Sequence, residues 1–430
     1  DRGFTNGQMD DLKFYGRDLS RPEIQFLAGR KDVAATEDDL KHIYMMRMAD
    51  QLAEERTRLR QAQLNYSDFA EKVESIMVMK ELKEPRQTFI RDRGAYDSPG
   101  EEVGPGVIKK LLPFEKQFPR NRLGLSQWLT DSRNPLTSRV AVNRIWQIIM
   151  GRGLVGTQED FGSQGGRPSH PMLFDYLCED FMQNGWNVKR LIKQIVCSST
   201  YKQSSACSLK MLERDPENEL LARGPSRRLP AEMIRDSALF SSGLMVSQIG
   251  GPPVKPYQPP GLWKESNNIA YERDIEQGSR RRSLYSYWKR TLPPPAMLTF
   301  DAANREVCTA RREATATPLQ ALVLLNDPQY IEAARSAAQN ALLKFESVDE
   351  QVAYLFRTFL GRNAKDQQLD ILRKTFVEQL AYFKNEEKEV ETFLAIGDLK
   401  ADTQVDTNEL AAMTVVAQLV LNLDQFVMKR

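Results

Sequence analysis

The chain has 430 residues, of which 60 are Lys or Arg and 58 are Asp or Glu, so its net charge is +2. That balance provides no bulk field to draw the protein onto nucleic acid or a lipid surface. The mean hydropathy is −0.51 and no apolar run reaches membrane-spanning length, so we expect no membrane span. The length allows two or three domains, or one large helical body with a full core.

Cysteine and histidine usage narrows the chemistry further. The four cysteines have no paired short spacing, and His42 and His170 are the only histidines. A zinc finger or a multi-histidine metal site cannot be assembled from them, so we predict no metal site. No Cys-x-x-Cys-His motif occurs, and this segment should therefore hold no c-type haem of its own. A Cys197–Cys207 disulfide stays open for an exported protein, although a buried free thiol is the commoner outcome for Cys178 and Cys197, on apolar helical faces.

The first thirty residues are typical of the end of a β-domain. Met9, Leu12 and Phe14 alternate with polar residues as in a strand, and Ser20 then stands as an N-cap before a short helix. An isolated strand is not stable in water, so we expect this strand to belong to a larger domain.

Residues 31–84 are predicted to form a helical linker or hairpin. The stretch 36–76 is rich in Glu, Arg, Gln, Leu and Ala with apolar residues at approximate helical spacing. A single amphipathic helix or helical hairpin fits this short apolar seam better than a partner-binding coiled coil does. A Gly/Pro-rich loop is expected over 94–113.

Residues 85–430 are predicted to form a mainly α, multi-helical domain with long irregular Pro/Gly-rich loops and few strands. Proline at helix starts and glycine or asparagine at helix ends give the boundaries. The predicted helices are 135–151, 171–184, 188–199, 230–244, 318–325, 328–345, 348–360, 366–383 and 408–423. The longest irregular section is 250–268, which is too rich in Pro and aromatic residues to be a free linker.

The segment 300–334 has the densest set of charged groups next to a helix start. Arg305, Arg311 and Arg312 lie among acidic residues that include Asp301, and a Thr-Pro helix start follows. Guanidinium groups are planar, permanently charged donors that suit carboxylate, sulfate and phosphate groups. The four residues form either an internal ion-pair lock or a binding site for an anionic ligand, and the sequence leaves both open.

A second polar group lies on the helix predicted from Pro135. Arg139 and Asn143 are four residues apart and share a helix face, and Arg144 follows them. This face could meet the arginines near position 311 or a carboxylate such as Asp301. A structural network is the default, and an anionic-ligand pocket is the alternative.

His170 and Asp160 are the catalytic candidates. His170 precedes the helix that starts at Pro171, and Asp160 lies in the glycine-spaced loop before it. A helix N-terminus suits a neutral imidazole that acts as a general base. The alternative is that His170 only caps the helix or hydrogen-bonds the loop, since no nucleophile accompanies it.

Several stretches resemble a known family. They are NRLGLSQWL, NPLTSRVAVNRIWQ, GLVGTQEDFGSQGGRPSHP, GWNVKRLIKQIVCSSTYKQSS, RRSLYSYWKR and the segment 300–334. Over about residues 76–430 the chain resembles the uncharacterised C-terminal domain of large exported planctomycete and verrucomicrobial proteins that also carry cytochrome c-type domains. Residues 1–30 resemble the closing strand and tail of a laminin-G or concanavalin-like lectin sandwich, which often precedes that domain.

The resemblance implies an exported protein, periplasmic or at the cell surface, with lectin-like and c-type haem domains upstream as its partners. It supplies no reaction. One hypothesis is an accessory or scaffold domain linked to polysaccharide binding or processing, which we favour. The alternative is an oxidoreductase or hydrolase acting on an anionic or sulfated carbohydrate, with His170 and Asp160 as acid and base and the arginines as an anion clamp.

Overall fold

The structure is a computed structural model that describes residues 13–15, 19–30, 34–45, 50–73, 75–84, 86–263 and 270–429. The chain divides into two compact units, 1–104 and 105–430. The sequence-based boundaries at 30 and 84 stay predictions. No helix within the described ranges is long and apolar enough to cross a membrane.

Within its described residues, the first unit contains three α-helices and one hairpin. Its helices are α1 (Arg21–Leu27), α2 (Glu37–Ile43) and α3 (Ala53–Lys72), and its strands are β1 (Thr88–Arg91) and β2 (Pro99–Val103). The Ser20 cap is confirmed, because its backbone N–H and its hydroxyl both donate to the Glu23 carboxylate, at 2.9 and 3.0 Å. The strand predicted from Met9 and Leu12 falls on residues outside the described part of the chain.

The segment expected to be a glycine-rich loop carries a strand instead. β2 pairs antiparallel with β1, with Thr88 opposite Val103 and Phe89 opposite Glu102. Pro99 and Gly100 disfavour a strand by propensity, and pairing with β1 overrides that preference. Gly100 fits because a Cβ there would lie 3.2 Å from the carbonyl oxygen of Ile90.

The second unit is mainly α, as predicted. Its helices are α4 (Arg122–Leu129), α5 (Thr137–Met150), α6 (Pro171–Gln183), α7 (Val188–Cys197), α8 (Ser199–Lys202), α9 (Leu209–Arg214), α10 (Ala231–Ser241), α11 (Pro295–Thr299), α12 (Pro318–Asn326), α13 (Pro328–Lys344), α14 (Val348–Leu360), α15 (Asp366–Phe383), α16 (Glu387–Leu394), α17 (Thr407–Leu421) and α18 (Asp424–Val427). A two-residue antiparallel pair, β3 (Arg227–Arg228) with β4 (Met428–Lys429), joins the start of α10 to the end of the chain.

Proline and glycine mark helix boundaries as predicted. Proline opens α6, α12 and α13, and Gly151 ends α5 in the left-handed conformation with φ of 90°. The Asp327 side chain caps α13 by accepting from the backbone N–H of Gln329 at 2.9 Å. Local sequence signals therefore account for the boundaries of these helices.

Two hydrophobic cores hold this unit together. The larger one forms around α13 and α17, which pack directly against each other and also contact α14. Alanines at 333, 334, 337 and 338 of α13 are fully buried, and their small side chains let the two helices approach closely. The smaller core lies between α5, α6 and α7, where Val142, Phe174 and Leu191 are buried.

Buried arginines fasten the long irregular segments to this helical frame. Arg235 on α10 donates to the carbonyl oxygens of Ser279 and Arg281, at 2.6 and 2.9 Å. Arg335 on α13 is fully buried and donates to the carbonyl oxygens of Leu394 and Leu399. Each guanidinium group thus donates to backbone carbonyl oxygens that have no partner within a helix or a sheet.

Candidate functional site

The charged residues of the 300–334 segment do not form one cluster. The Asp301 carboxylate accepts from the backbone N–H of Thr315 at 2.7 Å and from its hydroxyl at 2.9 Å. Arg312 donates to both carboxylate oxygens of Glu232 on α10, at 3.0 and 2.8 Å. The internal-lock hypothesis therefore describes Arg312, whereas Asp301 holds a loop threonine and has no arginine partner among the described residues.

Arg305 lies against an aromatic ring. Its guanidinium carbon is 4.3 Å from the centroid of the Trp288 ring, a cation–π contact. The Trp288 indole N–H donates to the carbonyl oxygen of Asn304 at 3.1 Å. Arg305 itself has φ of 65°, so its backbone is held in a conformation that few non-glycine residues adopt.

Arg311 faces an open cleft of about 1080 Å³. The cleft lies between the loop after α5, the segment 217–219 and the segment 311–315. Its charged lining consists of Arg152, Arg167, Arg311, Arg312, Glu159, Glu217, Glu219 and Glu313. The arrangement offers both cationic donors and anionic acceptors to one ligand.

The charges of the cleft are only partly matched by the protein. Arg152 pairs with Glu219, and with Glu217 at 3.8 Å. Within the described part of the chain, neither Arg167 nor Arg311 has a carboxylate within ion-pair distance. Both side chains are exposed, so these two guanidinium groups are the cations that a ligand would meet.

The wall of the cleft is built by a tightly hydrogen-bonded loop. The hydroxyl of Thr157 donates to the carbonyl oxygen of Asp160 and accepts from the backbone N–H of Gly166, both at 2.8 Å. Gly165 packs so closely that a Cβ there would lie 2.2 Å from the Asp160 carbonyl oxygen. Glycine at position 165 is therefore a packing requirement.

The foot of the same loop is fixed by Asn143 on α5, which is buried. Its side-chain amide binds both backbone groups of Val155, and this contact explains why a polar residue lies in the smaller core.

The catalytic candidates, Asp160 and His170, are not part of the lining of the cleft. The Asp160 carboxylate accepts from the backbone N–H of Gly162 at 2.7 Å, which shapes the loop. His170 stands at the N-cap of α6 and shares a hydrogen bond with the hydroxyl of Ser169, with Nδ1 3.0 Å from Oγ. Neither residue is among those that line the cleft, and their catalytic role stays a prediction.

The other two predicted ligand-binding residues, Arg139 and Arg144, have different surroundings. Arg139 donates to Asp175 on α6 at 2.6 Å and to the carbonyl oxygen of Pro135 at 3.0 Å, so its partner is the neighbouring helix. Arg144 is exposed and lines a narrow crevice next to the cleft. No carboxylate in the described ranges pairs with Arg144.

A polar pocket that sequence reasoning missed lies against α10 and α13. It is lined by Arg235, Asp327, Gln329 and Tyr330 together with prolines of the irregular segment. Burial raises the pKa of Asp327 to about 6 and raises the pKa of Tyr330 above its usual value. The pocket holds only about 20 Å³, room for about one water molecule, so it is too small for a substrate.

The described residues include no group of three or more His, Cys, Asp or Glu side chains that could hold a metal ion. All four cysteines are free thiols. Burial raises the pKa of Cys178 to about 12, so this thiol stays protonated at neutral pH.

Comparisons with known proteins place the chain in a family without assigning an activity. Neither the search of curated proteins nor the search of solved structures found a significant match. A family model, PSD1, does match residues 121–376, which is more than half of the chain. The matched region contains α4 to α14 and part of α15, and with them the cleft. The chain therefore belongs to the PSD1 family, described as protein of unknown function (DUF1553).

Proposed function

We propose that the second unit is a non-catalytic accessory module that binds an anionic polysaccharide in the cleft. The observation that carries the proposal is the pair Arg167 and Arg311, two exposed cleft arginines with no carboxylate partner in the described part of the chain. Guanidinium groups bind sulfate and carboxylate through paired N–H donors.

The remaining lining suits the rest of a sugar. Glu159 and Glu313 are exposed carboxylates that accept hydrogen bonds from sugar hydroxyls. The described lining contains no aromatic side chain, so sugar-ring stacking does not contribute to binding. Affinity would rest on charge and hydrogen bonds, and salt should weaken it.

We also propose a cellular location and neighbouring domains for this module. The family resemblance supports an exported protein, periplasmic or at the cell surface, in which lectin-like and c-type haem domains precede this unit. In that setting the module would hold a polysaccharide near its neighbouring domains. The choice of polysaccharide as ligand rests on the resemblance of residues 1–30 to a lectin tail.

Binding is favoured over catalysis by the positions of His170 and Asp160. The Asp160 carboxylate is engaged by the backbone of its own loop, and neither side chain lines the cleft. A general acid or base must come within hydrogen-bond distance of the reacting group. The enzyme alternative therefore has no specific observation in its favour.

The proposal is tested by measuring binding to a glycan panel by calorimetry. The panel contains dextran sulfate, chondroitin sulfate, polygalacturonate and neutral dextran. We expect the sulfated glycans to bind and neutral dextran not to bind. Arg311→Ala should weaken binding, whereas Arg357→Ala, an exposed arginine of α14 outside the cleft, should not. Equal affinity for charged and neutral glycans, or turnover of any of them, would contradict the proposal.

A further inference from the structure

Arg152 is a further arginine of the cleft and, unlike Arg167 and Arg311, it is paired with carboxylates of the protein. It stands just after α5 and lines the cleft together with Glu217 and Glu219. Its guanidinium group donates to a carboxylate oxygen of Glu219 and lies 3.8 Å from a carboxylate oxygen of Glu217. These ion pairs therefore join two walls of the cleft.

The guanidinium group of Arg152 lies against the backbone of the loop after α5. A Cβ added to Gly156 would lie 3.2 Å from Nη2 of Arg152, and the same nitrogen donates to Glu219. Gly156 and Glu219 both line the cleft. The donor nitrogen is therefore located between two residues of the cleft lining, where an anionic group of a bound ligand can approach it.

The ion pairs of Arg152 are exposed and can be displaced. The exposed fraction of the side chain is 35% for Arg152, 51% for Glu219 and 73% for Glu217. Exposed ion pairs contribute little to stability, because water screens the charges and both side chains lose conformational freedom. A sulfate or carboxylate group of a ligand can therefore replace the glutamates on Arg152 at small cost. The nearly buried pair of Arg280 and Glu332 is not open to such an exchange.

The backbone of the glutamate segment is held in place, so only side chains have to move. The Asp215 carboxylate accepts from the backbone N–H groups of Glu219 and Leu220, at 2.7 and 2.9 Å. The Arg223 guanidinium group donates to the carbonyl oxygen of Asp215 at 2.8 Å. Rotation of the exposed glutamate side chains is then enough to free Arg152.

We propose that Arg152 forms a third anion subsite of the cleft, which Glu217 and Glu219 occupy until an anionic group of the ligand displaces them. The inference rests on the proposed function, because the ligand is the polyanion that Arg167 and Arg311 bind. It narrows the ligand class to a densely charged glycan, which has enough anionic groups to contact Arg152 as well. The two glutamates lower the affinity by competing with the ligand for one cation.

The test measures binding of dextran sulfate to the full chain by calorimetry. Glu217→Gln/Glu219→Gln, the glutamine variant, removes both competing charges and keeps the shape of the side chains. We expect it to bind about 10-fold more tightly than wild type, because Arg152 becomes available to the ligand. Glu219→Gln alone should give most of the gain, since Glu219 makes the closer contact.

A double-mutant cycle separates the subsite from a general change of charge. In an Arg152→Ala background the same two glutamine substitutions should raise the affinity by less than about 3-fold, because only long-range repulsion is relieved. Glu213→Gln, at an exposed position of α9 outside the cleft lining, is the control. It should leave the affinity within about 2-fold of wild type. The glutamine variant should melt near the wild-type temperature, since both glutamates are exposed.

Two results would overturn the inference and leave the anion-binding proposal standing. One is wild-type affinity in the glutamine variant, and the other is an equal gain in the Arg152→Ala background. In both cases dextran sulfate still binds to wild type and loses affinity in Arg167→Ala/Arg311→Ala. If neither wild type nor the glutamine variant binds dextran sulfate, both proposals are wrong.

Discussion

Asn143 holds Val155 by both of its backbone groups. The Asn143 side-chain amide donates to the Val155 carbonyl oxygen at 3.0 Å, and the Val155 N–H donates to the amide oxygen at 2.8 Å. Replacing Asn143 by Ala leaves both groups buried without partners, so we expect a loss of about 3 kcal/mol in the free energy of unfolding. Urea denaturation measures it. The adjacent exposed Arg144→Ala variant should stay within about 0.5 kcal/mol of wild type, and equal stability of the two variants would contradict the role of Asn143.

Gly165 and Gly166 are adjacent loop positions that differ in the space available for a side chain. An alanine Cβ at 165 would lie 2.2 Å from a backbone oxygen, whereas at 166 its nearest neighbour is the Thr157 hydroxyl at 3.5 Å. Gly165→Ala should distort the cleft wall, lower the melting temperature and weaken sulfated-glycan binding, and Gly166→Ala should leave all three nearly unchanged. Calorimetric melting and the glycan panel measure both variants. Tolerance of alanine at 165 would show that the loop is less closely packed than described.

The Arg280–Glu332 ion pair is nearly buried and is expected to be structurally important. Its N–O distance is 2.7 Å, and the same Glu332 oxygen also accepts from the backbone N–H groups of Asp398 and Leu399. Glu332→Ala leaves the nearly buried Arg280 cation and two backbone N–H groups without their acceptor. We therefore expect a loss of about 3–5 kcal/mol in the free energy of unfolding. The exposed Lys374–Glu378 pair is the control, and Glu378→Ala should cost under about 1 kcal/mol. Denaturation midpoints measure the stability of both variants. Similar losses of stability would contradict the structural role of the Arg280–Glu332 pair.

Asp327 should make stability depend on pH. Its pKa is about 6 in the folded protein and about 3.9 in an unfolded chain, so the folded state binds the proton more tightly. The stability that this group contributes is therefore fully present below about pH 4 and is lost as pH rises through about 6. Asp327→Asn keeps an N-cap acceptor and cannot ionise.

The Asn variant should gain stability relative to wild type by about 2 kcal/mol between pH 4 and pH 7. Urea denaturation at a series of pH values measures the difference. Asp366→Asn, at the exposed start of α15, is the control. A difference between wild type and Asp327→Asn that does not change with pH would contradict the environment assigned to this carboxyl group.

Helix positions were predictable because the signals that set them are local. Pro171, Pro318 and Pro328 stand at the first turn of their helices, and Gly151 ends α5 as expected. The hairpin strand β2 was missed because its Pro-Gly start is typical of a loop, and only pairing with β1 stabilises it.

The partners of the arginines were less predictable because they lie far apart in sequence. Arg235 binds the backbone of Ser279, and Arg335 binds that of Leu399. Both arginines lie on otherwise apolar helix faces. In the alanine-rich α13, an arginine on such a face indicates a buried guanidinium group that needs hydrogen-bond acceptors. The arginines that are dense in sequence, from 305 to 312, proved to be exposed, because charge density reflects solvation more often than burial.

The most direct test of the account is the salt dependence of chondroitin sulfate binding by wild type and by the Arg167→Ala/Arg311→Ala double variant. We predict that wild-type affinity falls steeply as ionic strength rises from 50 to 300 mM, following the usual screening of charge. The double variant should bind at least about 10-fold more weakly at the lowest salt, show a flatter salt dependence and melt at the wild-type temperature. Wild-type affinity in the double variant, with an unchanged salt dependence, would contradict the claim that these two arginines bind the ligand.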